Sequence, residues 1–428
     1  MDTRIWAGCL TALLLMGVAH SQPLFDYANR RDDSYAWEKV SETTLPGGMI
    51  WTELKMTSQT WQGIPWVHQV AIVRPAQMTS SETAVLLING GKLRPQEMAI
   101  ATPIINGIGA PLVYLGDIPN QPLFGDLRED ALIAYTFQKA LETRDMTWPL
   151  LFPMAKSALR AMDCVQEYTA QAWEQPVKSF VVTGASKRGW TTWFTGVLDG
   201  GKRVKGIAPL VYDNLNLPAQ MAFQLASYGQ YSSQIDDYTQ LGLPDLLQSA
   251  RGRVFGAAVD PYTYRHRVTM PKLIVNGSND PYWVVDSTNL YWNDLTGPKY
   301  VLYVPNAGHG LGDLMRVLNA EVGFFLCCTG RAAFPELDWC YEEGRHLRLS
   351  LTGQPAPRRV NEWTATAPTR DFRQSTWVCR EVPARQGVYS LRQRYPAAGY
   401  AAVFGEALFD VGGREFPLST TIRVLKAR

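Results

Sequence analysis

Ser186, Asp280 and His309 occur in that order in this 428-residue chain, each inside a short turn-forming segment: GASKRG, GSNDP and NAGHG. A serine hydroxyl is a weak nucleophile until a base takes its proton. Histidine is that base near neutral pH, and a carboxylate orients the imidazole and stabilises its charged form. The chemistry implied is acyl transfer through a covalent serine intermediate. The base follows by elimination. Beyond the N-terminal segment the histidines are His68, His266, His309 and His346. Only His309 and His346 follow the candidate acids, and His346 lies in a β-rich tail. For the acid, Asp280 competes with Asp213, which follows another apolar run, and with Asp286, six residues further on.

The elements around these residues fit that chemistry. Short apolar runs recur: Ala84–Asn89, Ala110–Leu115, Ser179–Thr183, Gly206–Tyr212, Lys272–Asn276 and Tyr300–Val304. Segments of helical period separate them, including about 128–142 and 152–173. Continuous apolar strands alternating with helices predict a parallel sheet buried on both faces. After Ser186, the residues Trp190, Trp193, Phe194, Val197 and Leu198 share one helix face. A serine at a helix start is often only a cap. Here it follows an apolar strand directly, the layout of a nucleophile elbow. The second residue after it is Arg188, where the G-x-S-x-G elbow has glycine, and Gly189 comes one later. A large cation there needs space or an acidic partner. Ser, Asp, His is the α/β-hydrolase order, and all three sit just past predicted strand ends, where open α/β sheets place their sites.

Around the trio, the backbone N–H of Lys187 is one predicted oxyanion donor. The second should come from Asn89-Gly90-Gly91-Lys92, through Gly90 or Gly91. Tyr282 and Trp283 suit a substrate pocket. Glu129-Asp130 could hold a substrate amine, although acids also favour the first turn of a helix.

Residues 50–75 alternate apolar and polar about Gly63 and Pro65 and predict an antiparallel hairpin. The stretch 213–270 is long for a strand connection and predicts a helical lid inserted in a catalytic domain spanning 22–329. From 330 to 428, short alternating segments split by Gly and Pro predict a β-sandwich-like C-terminal domain.

Residues 1–21 carry Arg4, the apolar run Cys9–Ala19, and small residues at Ala19 and Ser21. This is a secretory signal layout, too short to span a membrane, and it predicts a periplasmic or extracellular protein without stable membrane insertion. Five cysteines remain after it, and Cys340 with Cys379 is the preferred disulfide in an oxidising compartment. Their spacing is not that of a zinc site, and no metal or cofactor is expected. Hydrophobic residues at 46 % exclude a mainly disordered chain, and a net charge of +2 makes no electrostatic case for nucleic acid.

With NGGK, GASKRGW, NGSNDPYW and NAGHG, the chain resembles the PhoPQ-activated pathogenicity-related protein family from about Tyr35 to Lys426. The resemblance implies an α/β-hydrolase-type catalytic domain followed by a β-rich tail, frequent export, and Ser186, Asp280 and His309 as the triad. The function expected is a secreted serine hydrolase acting on an ester or amide of a small molecule or peptide. A catalytically silent binding, signalling or virulence-related protein on the same scaffold is the alternative.

Overall fold

The structure, a computed structural model, describes residues 22–94 and 97–428. The predicted signal segment, 1–21, lies outside the described residues. Nine strands build the body in chain order: β1 Ala36–Thr44, β2 Ile50–Trp61, β3 Ile64–Arg74, β4 Thr83–Ile88, β5 Leu112–Leu115, β6 Ser179–Ala185, β7 Val204–Leu210, β8 Lys272–Gly277 and β9 Lys299–Val304.

The predicted hairpin is β2 and β3. Its two-residue loop, Gln62-Gly63, has positive φ at both positions, which matches the strand twist. The six apolar runs form β4 to β9, all parallel to their neighbours in the order β5-β4-β6-β7-β8-β9. β3 joins β5 antiparallel, so the sheet is mostly parallel rather than purely so.

Successive side chains on a strand point to opposite faces. Phe180 and Val182 face one core with Phe152, Trp193 and Phe194, while Val181 faces the other with Ile105, Phe324 and Phe325. Helices Leu151–Ala172 and Lys187–Asp199 therefore cover one face, and Met98–Ile108 and Leu314–Cys328 the other. The segment between β7 and β8 is helical, as predicted for a lid. Its larger helices are Leu217–Tyr228 and Ala250–Val259.

The tail is more closely joined to the body than a separate sandwich would be. Its strands are β10 Glu336–Glu342, β11 Leu347–Gln354, β12 Arg359–Ala367, β13 Val378–Glu381, β14 Ala384–Arg385, β15 Val388–Gln393, β16 Tyr400–Val411, β17 Arg414–Ser419 and β18 Arg423–Lys426. β17 pairs with β9, and the central sheet runs on through β16, β12 and β13. The contact is short: Ser419 of β17 pairs with Val301 of β9, and the Ser419 hydroxyl accepts from the Tyr303 N–H at 3.1 Å. β10, β11, β15 and β14 form a second sheet, whose Leu349 and Leu351 share a core with Ala407 and Phe409 of β16. The expected Cys340–Cys379 bridge is not formed. Cys340 is on the second sheet and Cys379 on the far edge strand of the first, and both are exposed free thiols. Among the described residues no helix is long and apolar enough to cross a membrane.

The two sheets pack tightly at Gly405, where an added Cβ would lie 2.7 Å from Leu351 Cδ2. Gly405→Val must push Leu351 aside or part the sheets. We expect a loss of about 1–3 kcal/mol in urea unfolding, and unchanged stability would refute this packing.

Candidate active site

Ser186 ends β6 and starts the helix Lys187–Asp199. Its φ of 59° and ψ of −122° project the side chain off the turn. The conformation is held from both sides. The Ser186 N–H donates to Leu210 O at 2.9 Å, and its carbonyl accepts from the Trp190 N–H at 3.0 Å. Strand and helix approach so closely that only glycine fits beside the turn. A Cβ on Gly184 would lie 2.8 Å from Arg188 O, and one on Gly189 would lie 2.9 Å from Leu210 O.

The structure brings the three predicted residues together. Ser186 Oγ is 2.9 Å from His309 Nε2, and His309 Nδ1 is 2.8 Å from Asp280 Oδ2. A carboxylate can only accept from Nδ1–H, which leaves Nε2 as the acceptor for the serine proton. Asp280 is buried, and its other oxygen accepts from the Tyr282 N–H at 2.9 Å. The competing acids are engaged elsewhere. Asp213 accepts from Ser287, Thr288 and Tyr291, and burial, partly opposed by those bonds, pushes its carboxyl up to about 6. Asp286 makes a two-point pair with Arg370 at 2.9 and 2.8 Å.

The loops that carry Asp280 and His309 are pinned to each other and to the tail. Gly277 packs against the backbone of Ala307, and the Asn279 N–H donates to Ala307 O at 2.9 Å. The side-chain amide of Asn279 donates to the carbonyls of Phe372, Arg373 and Ser375. Asn306 exchanges two bonds with the backbone of Trp377, at 3.0 and 2.7 Å. Arg370 lies over the Phe223 ring of the lid. These positions were not singled out in the sequence, because their partners lie some 70 residues or more away in the chain.

Arg188 finds the acidic partner its size demanded. Its guanidinium bonds both oxygens of Glu129 at 2.6 and 2.7 Å and the carbonyl of Ile118 at 2.6 Å. Gly90 makes the room, since a Cβ there would sit 2.0 Å from Arg188 Nη2. Lys187 Nζ pairs with Asp130 at 2.7 Å. Asp130 also accepts from the Tyr238 hydroxyl at 2.9 Å and the Tyr282 hydroxyl at 3.3 Å. Glu129 and Asp130 are thus paired with the protein's own cations and phenols, and Asp130 also lines the cleft beside Ser186. Burial favours the neutral form of Glu129, but the hydrogen bonds and charge of Arg188 outweigh it and hold the carboxyl down to about 2.

The oxyanion site is half assembled. Lys187 N–H belongs to the first helical turn, whose amides have no partner within the helix. Gly90 and Gly91 do not offer theirs as expected. Both N–H groups donate to Asn89 Oδ1, at 2.6 and 3.4 Å.

Tyr282 and Trp283 do reach the site. The Tyr282 ring lies 4.3 Å from the His309 ring, and Tyr282 and Trp283 line a narrow cleft of about 90 Å³ beside Ser186. The helical segment between β7 and β8 supplies much of its wall, through Leu217, Met221, Leu243 and Phe255. Among the described residues no group of three or more His, Cys, Asp or Glu could hold a metal ion.

The sheet order, with Ser186, Asp280 and His309 after β6, β8 and β9, is that of an α/β-hydrolase. A sequence model described as PhoPQ-activated pathogenicity-related protein matches residues 24–373. Autocrine proliferation repressor protein A of Dictyostelium discoideum is 34 % identical over 441 residues, covering 93 % of this chain and 88 % of that protein. Among solved structures, acetyl xylan esterase 1 from a Thermoanaerobacterium species has a TM-score of 0.44 at 14 % identity, over 70 % of this chain and 91 % of that one. An S-formylglutathione hydrolase from Agrobacterium tumefaciens has a TM-score of 0.45 at 11 % identity, over 67 % and 98 %.

A carboxyl held below its ordinary value stabilises the fold above that value and loses the contribution as pH falls through its folded one. For Glu129 the window runs from 4.5 down to about 2. Glu129→Gln should therefore be less stable than wild type at neutral pH, and the gap should shrink between pH 4.5 and 2. Urea titrations at several pH values measure it. A gap independent of pH would contradict the ion pair.

Proposed function

Because the chain belongs to the PhoPQ-activated pathogenicity-related protein family, whose name speaks of regulation and not of chemistry, we propose its function from the site: a serine hydrolase that cleaves a carboxylic ester or amide. The observation that carries this is the unbroken hydrogen-bonded chain from Ser186 Oγ through both nitrogens of His309 to Asp280. In this mechanism His309 Nε2 takes the serine proton as Oγ attacks the acyl carbon. Negative charge develops on the former carbonyl oxygen beside the Lys187 N–H, at the positive end of a helix. His309 then gives its proton to the leaving group, and the acyl-serine is hydrolysed by water activated through the same base. Asp280 holds the imidazole in one tautomer and stabilises its charged form. The N-terminal segment supports export to the periplasm or the extracellular space.

One observation favours the alternative of a silent scaffold. The Gly90 and Gly91 N–H groups are held by Asn89, so a second oxyanion donor is freed only when that side chain turns.

Ser186→Ala should abolish hydrolysis of activated esters while the unfolding midpoint stays near that of wild type. Unchanged turnover would sink the assignment. Asp280→Asn should lower kcat by up to about 10⁴-fold, since the imidazole loses its orienting carboxylate. A normal rate would move the acid role away from Asp280.

A further inference from the structure

Three consecutive carbonyls follow Asp280, and side chains of the segment between β7 and β8 hold all three. Ser232 Oγ donates to Pro281 O at 2.7 Å, Gln224 Nε2 to Tyr282 O at 3.1 Å and the Tyr228 hydroxyl to Trp283 O at 2.8 Å. Gln224 and Ser232 are each 1 % exposed. The Ser232 N–H donates in turn to Gln224 Oε1 at 2.9 Å, so both ends of the glutamine amide are used. Buried carbonyls need donors, and a loop can find them in its own backbone or in water. Here the donors are side chains 49 to 58 residues earlier in the chain. The helix Leu217–Tyr228 that supplies two of them is itself held by the tail. Arg370 bonds Ser227 at 3.3 Å, and the Arg373 guanidinium lies 4.1 Å from the centre of the Tyr228 ring.

The middle residue of the three touches both Asp280 and His309. The Tyr282 N–H donates to Asp280 Oδ1 at 2.9 Å, which leaves Oδ2 to His309 Nδ1 at 2.8 Å. The Tyr282 ring lies over the imidazole, with 32° between the planes. The Tyr282 hydroxyl donates to Asp130, and Asp130 also pairs with Lys187, the residue after Ser186. Tyr282 thus sets the plane of the carboxylate through its backbone and covers one face of the imidazole with its ring. Its carbonyl, the remaining polar atom, is the one that Gln224 holds.

We propose that Gln224, Tyr228 and Ser232 are positioning residues, which act through Tyr282 to hold Asp280 and His309 in line with Ser186. The proposal rests on the serine-hydrolase reading of the site. A misplacement of about 1 Å can cost about 100-fold in rate, so these bonds weigh more in turnover than in stability. Leu217 and Met221 of the same helix line the cleft beside Ser186. The wall that meets the substrate and the brace of the acid are therefore one element.

The test uses the full chain and p-nitrophenyl acetate. Gln224→Met keeps the length of the side chain and removes both of its bonds, and Tyr228→Phe removes one hydroxyl. Neither residue is among those lining the cleft. We expect kcat to fall about tenfold in Gln224→Met and about threefold in Tyr228→Phe, with KM within about twofold of wild type. Tyr282→Leu should lower kcat more than Tyr282→Phe, since phenylalanine keeps the ring over His309. A second readout is the low-field proton NMR signal of the His309 Nδ1–H bonded to Asp280, identified by its loss in His309→Ala. It should move or broaden in Gln224→Met and stay in place in Gly405→Val, which weakens the packing of the two sheets instead. Wild-type kcat in both Gln224→Met and Tyr228→Phe, or a loss confined to KM, would overturn this proposal alone. So would a His309 signal unmoved in Gln224→Met, or moved equally in Gly405→Val. If Gln224→Met does not fold, Tyr228→Phe decides by the same measures. A wild-type chain with no fluorophosphonate labelling of Ser186 and no ester turnover would overturn the hydrolase reading, and this proposal with it.

Discussion

Ser186 holds a φ of 59° with a Cβ attached, a conformation that costs a non-glycine residue about 1–3 kcal/mol. The surrounding structure over-determines it. The β7 carbonyl of Leu210 takes the serine N–H, the first helical turn takes its carbonyl, and Gly184 and Gly189 let strand and helix close on the turn. The strained turn points the hydroxyl at His309 on another loop. Arg188 adds a tie from the same turn to Glu129, at the start of the helix Glu129–Thr143. Ser186 is thus fixed from three sides.

His309 and Asp280 are fixed by different means. They stand on loops after β8 and β9, and loops are the mobile part of such folds. Here the tail removes that freedom. Asn279 and Asn306 use side-chain amides to bond backbone groups between Phe372 and Trp377, so the acid and histidine loops share one support. Arg370 extends it to the lid, through Asp286, Ser227 and the Phe223 ring. β17 meanwhile joins β9, the strand before the His309 loop, at Ser419 and Val301. The β-rich tail therefore holds the loops that carry Asp280 and His309.

Much of this was legible in the sequence for simple reasons. Fully buried parallel strands leave unbroken apolar runs, and Ser186, Asp280 and His309 each follow one. The scarcity of histidines then pointed to His309. What was not legible depends on long-range pairing. Glu129 and Asp130 look alike whether they await a substrate amine or neutralise Arg188 and Lys187, because a salt bridge 59 residues apart leaves no local pattern. The Gly90-Gly91 turn was found, but not that Asn89 would occupy its amides. Strands β10 to β18 alternate as sandwich strands do, and nothing in that alternation says that one layer would continue the central sheet. For the same reason Cys340 and Cys379 pass for partners in sequence while standing on different sheets.

The central claim is that Ser186 is activated by His309 in the folded protein. Fluorophosphonates react with a serine whose proton is taken by a base and spare ordinary hydroxyls. Intact-mass analysis of the purified chain after labelling, with peptide mapping of the adduct, tests the claim most directly. The account predicts one adduct, located on Ser186, and none on a folded His309→Ala variant. An unlabelled wild-type protein, or an adduct on another residue, would contradict it.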